Sequence, residues 1–260
     1  MSLLAAVLAI TLRGVVLKHP PPVVPDYERL MVPIVANDAP GAFGSRWTSE
    51  TWLANDGSTP APFNAPACER PEVTEFCFGP LPVNPGAAVR VLAYAPVSIP
   101  AAFIDVPRSL DATVALHSRM QDTSRQAQTW GTEIPIVRED DFASRVTLLD
   151  VPTDARFRVM LRTYGSDDSA TPVRVRVYAL TGQEPLLDVA RTLAPSPSAG
   201  RGFPQWPAYD QIALLDAWPQ LAATDTLRIT IDSLDASKKV WAFASVTNNE
   251  TQHVTVIAPR

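Results

Sequence analysis

Glycine is scarce in this chain, 11 of 260 residues, and the phosphate-cradling glycine patterns are absent: neither a P-loop nor a G-x-G-x-x-G run occurs. Histidine is scarcer. His19, His117 and His253 are far apart in sequence, no H-E-x-x-H is present, and the two cysteines have no histidine nearby, so no local zinc-type ligand set exists. A serine elbow of the G-x-S-x-G kind is also missing. A triad is assembled only by joining His117 to unrelated Ser and Asp residues, and His117 falls in a stretch that reads as a strand with a structural role. Basic clusters are lacking too: 22 Lys and Arg stand against 27 Asp and Glu, a net charge of -5, with arginine spread along the chain. That balance excludes a general nucleic-acid binder. The apolar run LLAAVLAITL (3–12) stops at Arg13, well short of the roughly 20 residues a bilayer span needs, so no stable membrane span is expected. These absences point away from an enzyme and from any cofactor or metal.

Proline, by contrast, is abundant at 26 residues. At this density it breaks helices, starts turns and blunts strand edges, which directs the chain to an all-β fold. Strand patterns are correspondingly frequent and short: RLMVPIV, RWTSETWLAN, AAVRVLAYA and DATVALHSRM in the first half, then RVTLLDV, RFRVMLRTY, PVRVRVYAL, TLRITIDSL and KVWAFASVT. In RFRVMLRTY the alternation turns Phe157, Val159 and Leu161 inward and Arg156, Arg158 and Arg162 outward. In PVRVRVYAL it buries Val173, Val175 and Val177 and exposes Arg174 and Arg176. The arginines read as the solvated outer faces of half-buried strands.

A length of 260 residues accommodates two domains, each able to bury a core. The chain divides into a signal-like apolar segment with a proline-rich linker (1–27), a first β-sandwich (28–140) and a second (141–260). The two halves repeat a layout. SRWTSETWLANDGSTPAPF (45–63) and ARFRVMLRTYGSDDSATPVRV (155–175) share an arginine, an aromatic, an alternating strand, an Asp/Gly/Ser turn and a Thr-Pro. Trp47 then corresponds to Phe157 and is expected to anchor its own core, as Phe157 anchors the other. At the far ends VALHSRMQDTSRQAQTWGTEIPIV (114–137) is a looser form of VWAFASVTNNETQHVTVIAP (240–259), strand, polar turn, strand. Internal duplication accounts for the correspondence, and shared all-β punctuation is its rival.

An opening RWTSETWLAN paired with a closing VWAFASVTNNET resembles the tandem Ig-like β-sandwich modules of uncharacterised secreted bacterial proteins. The resemblance covers most of residues 30–259. It implies two tandem antiparallel sandwiches and a secreted or extracytoplasmic location in the periplasm or at the cell surface, and it carries no catalytic residues over. Two departures are the Cys68 to Cys77 loop and the proline-rich APSPSAGRGFPQWPAYDQ.

Cys68 and Cys77, in PACERPEVTEFCFGP, are nine positions apart in an irregular segment. They are read as a disulfide closing a small loop, with two unpaired thiols or metal ligation as the other readings. A disulfide there would contribute roughly 2–3 kcal/mol and belongs to an oxidising compartment. The acidic clusters REDD (138–141) and GSDDS (165–169) lack the ligand spacing of a calcium loop, although a weak calcium site near Asp140 or Asp167 stays open. They read as linker and turn chemistry, with Glu139, Asp140 and Asp141 solvating the hinge between the domains. In RGFPQWPAYDQ the aromatics Phe203, Trp206 and Tyr209 recur every third residue between prolines. They are either a stacking platform for a sugar or peptide or the packing of a loop that caps the sandwich. After them, DQIALLDAWPQLAA suggests a short helix with Ile212, Leu215 and Trp218 on one face. The expected function is non-catalytic: a structural, adhesive or binding role toward a protein or glycan at the cell surface. The alternative is an accessory carbohydrate-binding protein that uses the loop around Trp206.

Overall fold

The computed structural model describes residues 26–63, 82–92, 98–125, 130–196 and 206–259. The apolar start, Cys68, Cys77 and Phe203 lie outside the described residues. The described chain is all-β. Its first half comprises β1 (Tyr27–Val35), β2 (Ala39–Pro40), β3 (Arg46–Asn55), β4 (Ala88–Val91), β5 (Ile99–Pro107), β6 (Val114–Asp122) and β7 (Thr132–Ile134). The second half comprises β8 (Arg145–Pro152), β9 (Phe157–Gly165), β10 (Thr171–Ala179), β11 (Pro185–Leu193), β12 (Tyr209–Ala213), β13 (Thr226–Ser233), β14 (Val240–Asn248) and β15 (Val254–Ile257). Among the described residues no helix is long and apolar enough to cross a membrane.

Every named strand pairs within its own half, and every pairing is antiparallel. The second half has two four-stranded sheets, ordered β11-β10-β13-β8 and β12-β9-β14-β15. Alternation sends Leu148, Val173, Val175, Val177, Ile229 and Ile231 from the first sheet against Val159, Leu161, Ala242 and Ala244 from the second, and all are buried in one core. The outer face of the first sheet is held by ion pairs, Arg174 of β10 to Asp188 of β11 at 2.6 Å and Arg176 of β10 to Asp232 of β13 at 2.9 Å. Such exposed pairs contribute about 0–1 kcal/mol each and keep the face solvated.

The first half has a two-stranded ribbon, β1-β5, facing the sheet β2-β3-β6-β7, to which β4 adds by pairing with β3. Their shared core holds Leu30, Val32, Val35, Leu53, Val91, Ala102, Ile104 and Val106. The pairing schemes of the halves correspond: β1-β5 to β8-β13, β3-β6-β7 to β9-β14-β15, and β4 on the free edge of β3 to β12 on that of β9.

The ribbon is buried on both faces. Met31, Ala101 and Phe103 point away from the first core and pack on Tyr164, Trp241 and Phe243 of the second half, together with Ile134 and Val254. The molecule therefore stacks four β layers, with a mixed cluster joining the halves. Double burial explains the apolar stretches IPAAFI at the start of β5 and VWAFA at the start of β14, where a half-solvated strand would alternate. The Tyr164 and Phe243 rings stack at 6.3 Å, and Trp241 tilts against Phe243 at 5.5 Å. Polar links cross the same boundary: Tyr164 Oη donates to Pro100 O at 3.2 Å, and Thr132 Oγ1 to Val254 O at 2.8 Å.

The REDD segment, whose Glu139, Asp140 and Asp141 are exposed, is also an ion-paired strap: Arg138 reaches Glu28 and Asp111, both at 2.7 Å, and Glu139 accepts from Arg108 and from the Arg29 amide. Three expectations are corrected. Ile212 lies in β12, because Asp210–Ala213 completes the edge of β9, and the helix that follows is a single turn, Leu214–Ala217. Trp47 and Phe157 are not equivalent in packing. Phe157 lies against the second core, while Trp47 lies against the mixed cluster. Finally, Arg158 and Arg162 do not face open solvent; they line the space between the halves.

Candidate functional site

The ribbon covers only part of the outward face of β9 and β14. Alternation along β9 puts Arg158, Met160, Arg162 and Tyr164 on that face, and along β14 it adds Trp241, Phe243, Ser245 and Thr247. Tyr164, Trp241 and Phe243 lie under the ribbon. The rest, with Gln211 of β12 and Asn249, forms the floor of a groove of about 700 Å³. Its other wall comes from the first half: residues 34–36 and 39–42, Trp47, Met120, and Ser98 with the start of β5. That wall holds an unusual backbone. Ile34 and Phe43 adopt φ of 64° and 54°, and Asp38 between them adopts 50°. A β-branched residue is rarely found there, so the fold sustains local strain beside the groove. Gly41 is demanded by space: a Cβ at that position would collide with Ser45 Oγ and Trp47 Nε1.

Arg162 is the central side chain of the floor. It stands between Gln211 and Phe243 in the ladder. Its Nε donates to Gln211 Oε1 at 3.1 Å, its Nη1 to Ser245 Oγ at 2.7 Å, and its carbon lies 5.7 Å from the Phe243 ring centre. Among the described residues no carboxylate lies within ion-pair distance of Arg162, and its Nη2 has no hydrogen-bond partner. The contrast is with Arg145, Arg174, Arg176 and Arg191, each matched to an aspartate. Desolvation by the surrounding protein draws the Arg162 pKa below the ordinary arginine value, with Tyr164 acting the other way. Arg158, two strand repeats away on the same face, donates to Asn249 Oδ1 at 2.6 Å and Gln252 Oε1 at 2.8 Å, and stacks over Phe43 at 5.1 Å. A neutral amide and a hydroxyl thus orient the Arg162 guanidinium while leaving its positive charge to act on the groove.

A second cavity of about 400 Å³ is lined by Tyr27, Arg29, Asp105, Glu139, Ser166 and Lys239. Its principal charges are already matched, Arg29 to Asp105 at 2.9 Å.

The sequence-derived candidates are dispersed. Trp206 is half-buried against the first-half core, and its buried Nε1 has no hydrogen-bond partner among the described residues. Tyr209 opens β12, packs on the mixed cluster and lines the groove. Asp167 accepts from Ser169 and pairs with Lys238. Asp140 lies in the single 3-10 turn of the strap. Among the described residues no group of three or more His, Cys, Asp or Glu is placed to hold a metal ion. His117 lies on β6 with Glu133 at 3.6 Å, and His253 is exposed before β15.

Sequence reasoning missed Arg158 and Arg162 because alternating charge is the signature of a wet strand face. A usable signal was present in β14: the apolar stretch from Val240 to Ala244 requires both sheet faces to be covered there, so polar residues on the neighbouring strand also face protein. Comparison with protein-family models, with curated proteins and with solved structures found no match to this chain.

Proposed function

We propose that this chain is a non-catalytic, exported binding protein of the cell surface or envelope, built as two Ig-like β-sandwich modules that arose by duplication, with its ligand seat in the groove between them. The duplication reading is supported by the correspondence of strand pairings, in which β3 flanked by β4 and β6 matches β9 flanked by β12 and β14. Export is supported by the apolar 3–12 stretch and by the spacing of Cys68 and Cys77. The partner is a glycan or protein met outside the cytoplasm.

The observation that carries the binding reading is Arg162, a desolvated cation without a matching carboxylate, oriented by Gln211 and Ser245 on the floor of a 700 Å³ groove. A groove of this size falls in the range used for small-ligand recognition, where a few placed polar groups set orientation. A charge held this way costs folding energy unless something else takes advantage of it, and that is the usual mark of a site. The alternative, an accessory carbohydrate-binding protein stacking sugars on the loop around Trp206, is supported by the spacing of Phe203, Trp206 and Tyr209; the packing of Trp206 against the first core leaves less of its ring for a ligand.

The test is a binding screen of the full chain against glycans and surface proteins, repeated with Ala155→Trp. Ala155 is an exposed turn residue at the groove mouth, so the indole fills the groove without entering a core. Ligand binding lost in the filled variant is the expected result. A ligand held equally well by both proteins would remove the groove as the seat.

A further inference from the structure

We infer that the groove takes a carboxylate-bearing sugar, with Arg162 receiving the carboxylate. This rests on the reading of the groove as the ligand seat and adds the ligand's chemistry. Three features select it. The free Nη2 of Arg162 and its fixed neighbours leave one side of a planar fork to the groove, and a guanidinium fork matches a carboxylate's two oxygens. Around it the floor offers neutral partners, Gln211, Ser245, Thr247 and Asn249, which donate to and accept from hydroxyl groups. The walls add Trp47 and Tyr209, both half-buried, whose rings suit the apolar face of a pyranose.

Asp216 narrows the choice further, because its exposed carboxylate also lines the groove. Asp216 accepts hydrogen bonds from hydroxyl groups and repels dense negative charge, so a ligand with one carboxylate among many hydroxyls fits better than a phosphate or sulfate ester. Arg158 is already engaged by Asn249 and Gln252, which leaves Arg162 to receive the carboxylate. Specificity then lies in the charge: a neutral sugar would leave the Arg162 guanidinium desolvated and unmatched, the costly case for a buried polar group.

The experiment titrates the full chain, by calorimetry or by ligand-observed magnetic resonance, with galactose oligomers ending in a single galacturonate, with all-galactose oligomers of the same length, and with sodium sulfate. Galacturonate is expected to bind at least about tenfold tighter than its neutral counterpart, the discrimination a site-matched polar group supplies. Arg162→Gln is expected to abolish that preference while keeping the native circular dichroism spectrum, since its amide ends at the level of the arginine Nε that bonds Gln211. Arg162→Lys, which keeps charge and loses the fork, serves if the glutamine variant does not fold, and is expected to weaken galacturonate more than galactose. Equal binding of the neutral oligomer, equal binding of sulfate, or an unchanged preference in both variants overturns the inference. A different ligand from the screen that is blocked by Ala155→Trp, with no uronate binding, overturns the acidic-sugar assignment and leaves the groove in place. Uronate binding that Ala155→Trp does not disturb overturns both.

Discussion

Arg162 and Phe243 stand directly opposite each other on β9 and β14, the guanidinium carbon 5.7 Å from the ring centre. Phe243 is fully buried beneath the β1-β5 ribbon, while Arg162 is half-buried at the edge of that cover. One sheet face is thus divided between joining the halves and forming the groove floor. The joint and the groove share their strands, so stability and ligand binding are coupled through this pair.

The mixed cluster makes the halves one cooperative unit. Phe243→Ala deletes a ring shared with Tyr164 and Trp241 and is expected to cost about 3–5 kcal/mol. Urea unfolding followed by tryptophan emission and by far-ultraviolet dichroism should give coincident transitions in the native protein, with both midpoints lowered in the variant. Two separated transitions in the native protein would mean that the cluster does not couple the halves.

Much of the strand content was legible in the sequence. Arg46–Asn55 is a strand over the whole of RWTSETWLAN, and the closing hairpin of β14 and β15 forms where VWAFASVTNNETQHVTVIAP places it. What was not legible has a common cause, burial set by a distant partner. IPAAFIDVP lacks alternation because Ala102 and Ile104 face one core while Ala101 and Phe103 face another. PLLDVARTL looks weak because β11 is an edge strand that is mostly exposed. The groove was hidden for the same reason: the environment of Arg162 is set by residues 34–42 and Trp47, more than a hundred positions away, and local pattern does not encode that distance.

The strap at the domain boundary titrates in a defined direction. Burial raises the Glu28 pKa despite the opposing Arg138, and hydrogen bonding to Arg138 lowers that of Asp111. Arg138→Gln leaves Glu28 buried without its cation and should cost about 2 kcal/mol near neutral pH, less than a fully buried pair because Arg138 is itself half-exposed. A raised carboxyl pKa favours the folded state at low pH and loses that contribution as pH rises through the folded value. The lowered Asp111 contributes above its unfolded pKa and loses that as pH falls. Both signs make the variant's penalty shrink under acid. Denaturation midpoints of the two proteins should therefore begin to approach each other as Glu28 protonates and converge only below pH 3.8, the ordinary aspartate value from which Asp111 is lowered. A penalty independent of pH would assign the loss to packing.

Tyr164 gives a signal at the other end of the scale. Its ring is fully buried and its hydroxyl donates to Pro100 O, so desolvation raises its pKa above the ordinary value of 10.0. The unfolded chain releases this proton more readily, so the stabilisation is complete below the ordinary tyrosine value and is lost as pH climbs beyond it. Ultraviolet difference absorbance should show one tyrosine fewer ionising in the native alkaline titration than after denaturation, and Tyr164→Phe should restore agreement. Full tyrosine ionisation with the native dichroism spectrum intact would be the contrary result.

Cys68 and Cys77 are expected to be bonded, as the short loop and the export reading require. Intact mass after alkylation decides the matter: no label before reduction and two after it. Two labels on the unreduced protein would remove the disulfide and weaken the case for an oxidising compartment.

Trp206 bears on both the fold and the function. It precedes β12 of the second half yet packs against the first-half core, so the connection from β11 carries an aromatic across the boundary. Trp206→Ala removes that contact and should cost on the order of 3 kcal/mol, lowering the melting temperature by several degrees. The buried Nε1 without a partner adds a sharper test. An unmatched buried donor costs about 1–3 kcal/mol, so Trp206→Phe discards a penalty along with some ring area, and the two effects should nearly cancel. Phenylalanine close to native stability with alanine well below it is the signature of a packing residue. A stabilising role for the indole N–H would instead make both substitutions similarly damaging. If the alanine variant melts with the native protein while losing sugar binding, Trp206 is a stacking platform after all, and the ligand seat moves from the groove floor around Arg162 to the loop.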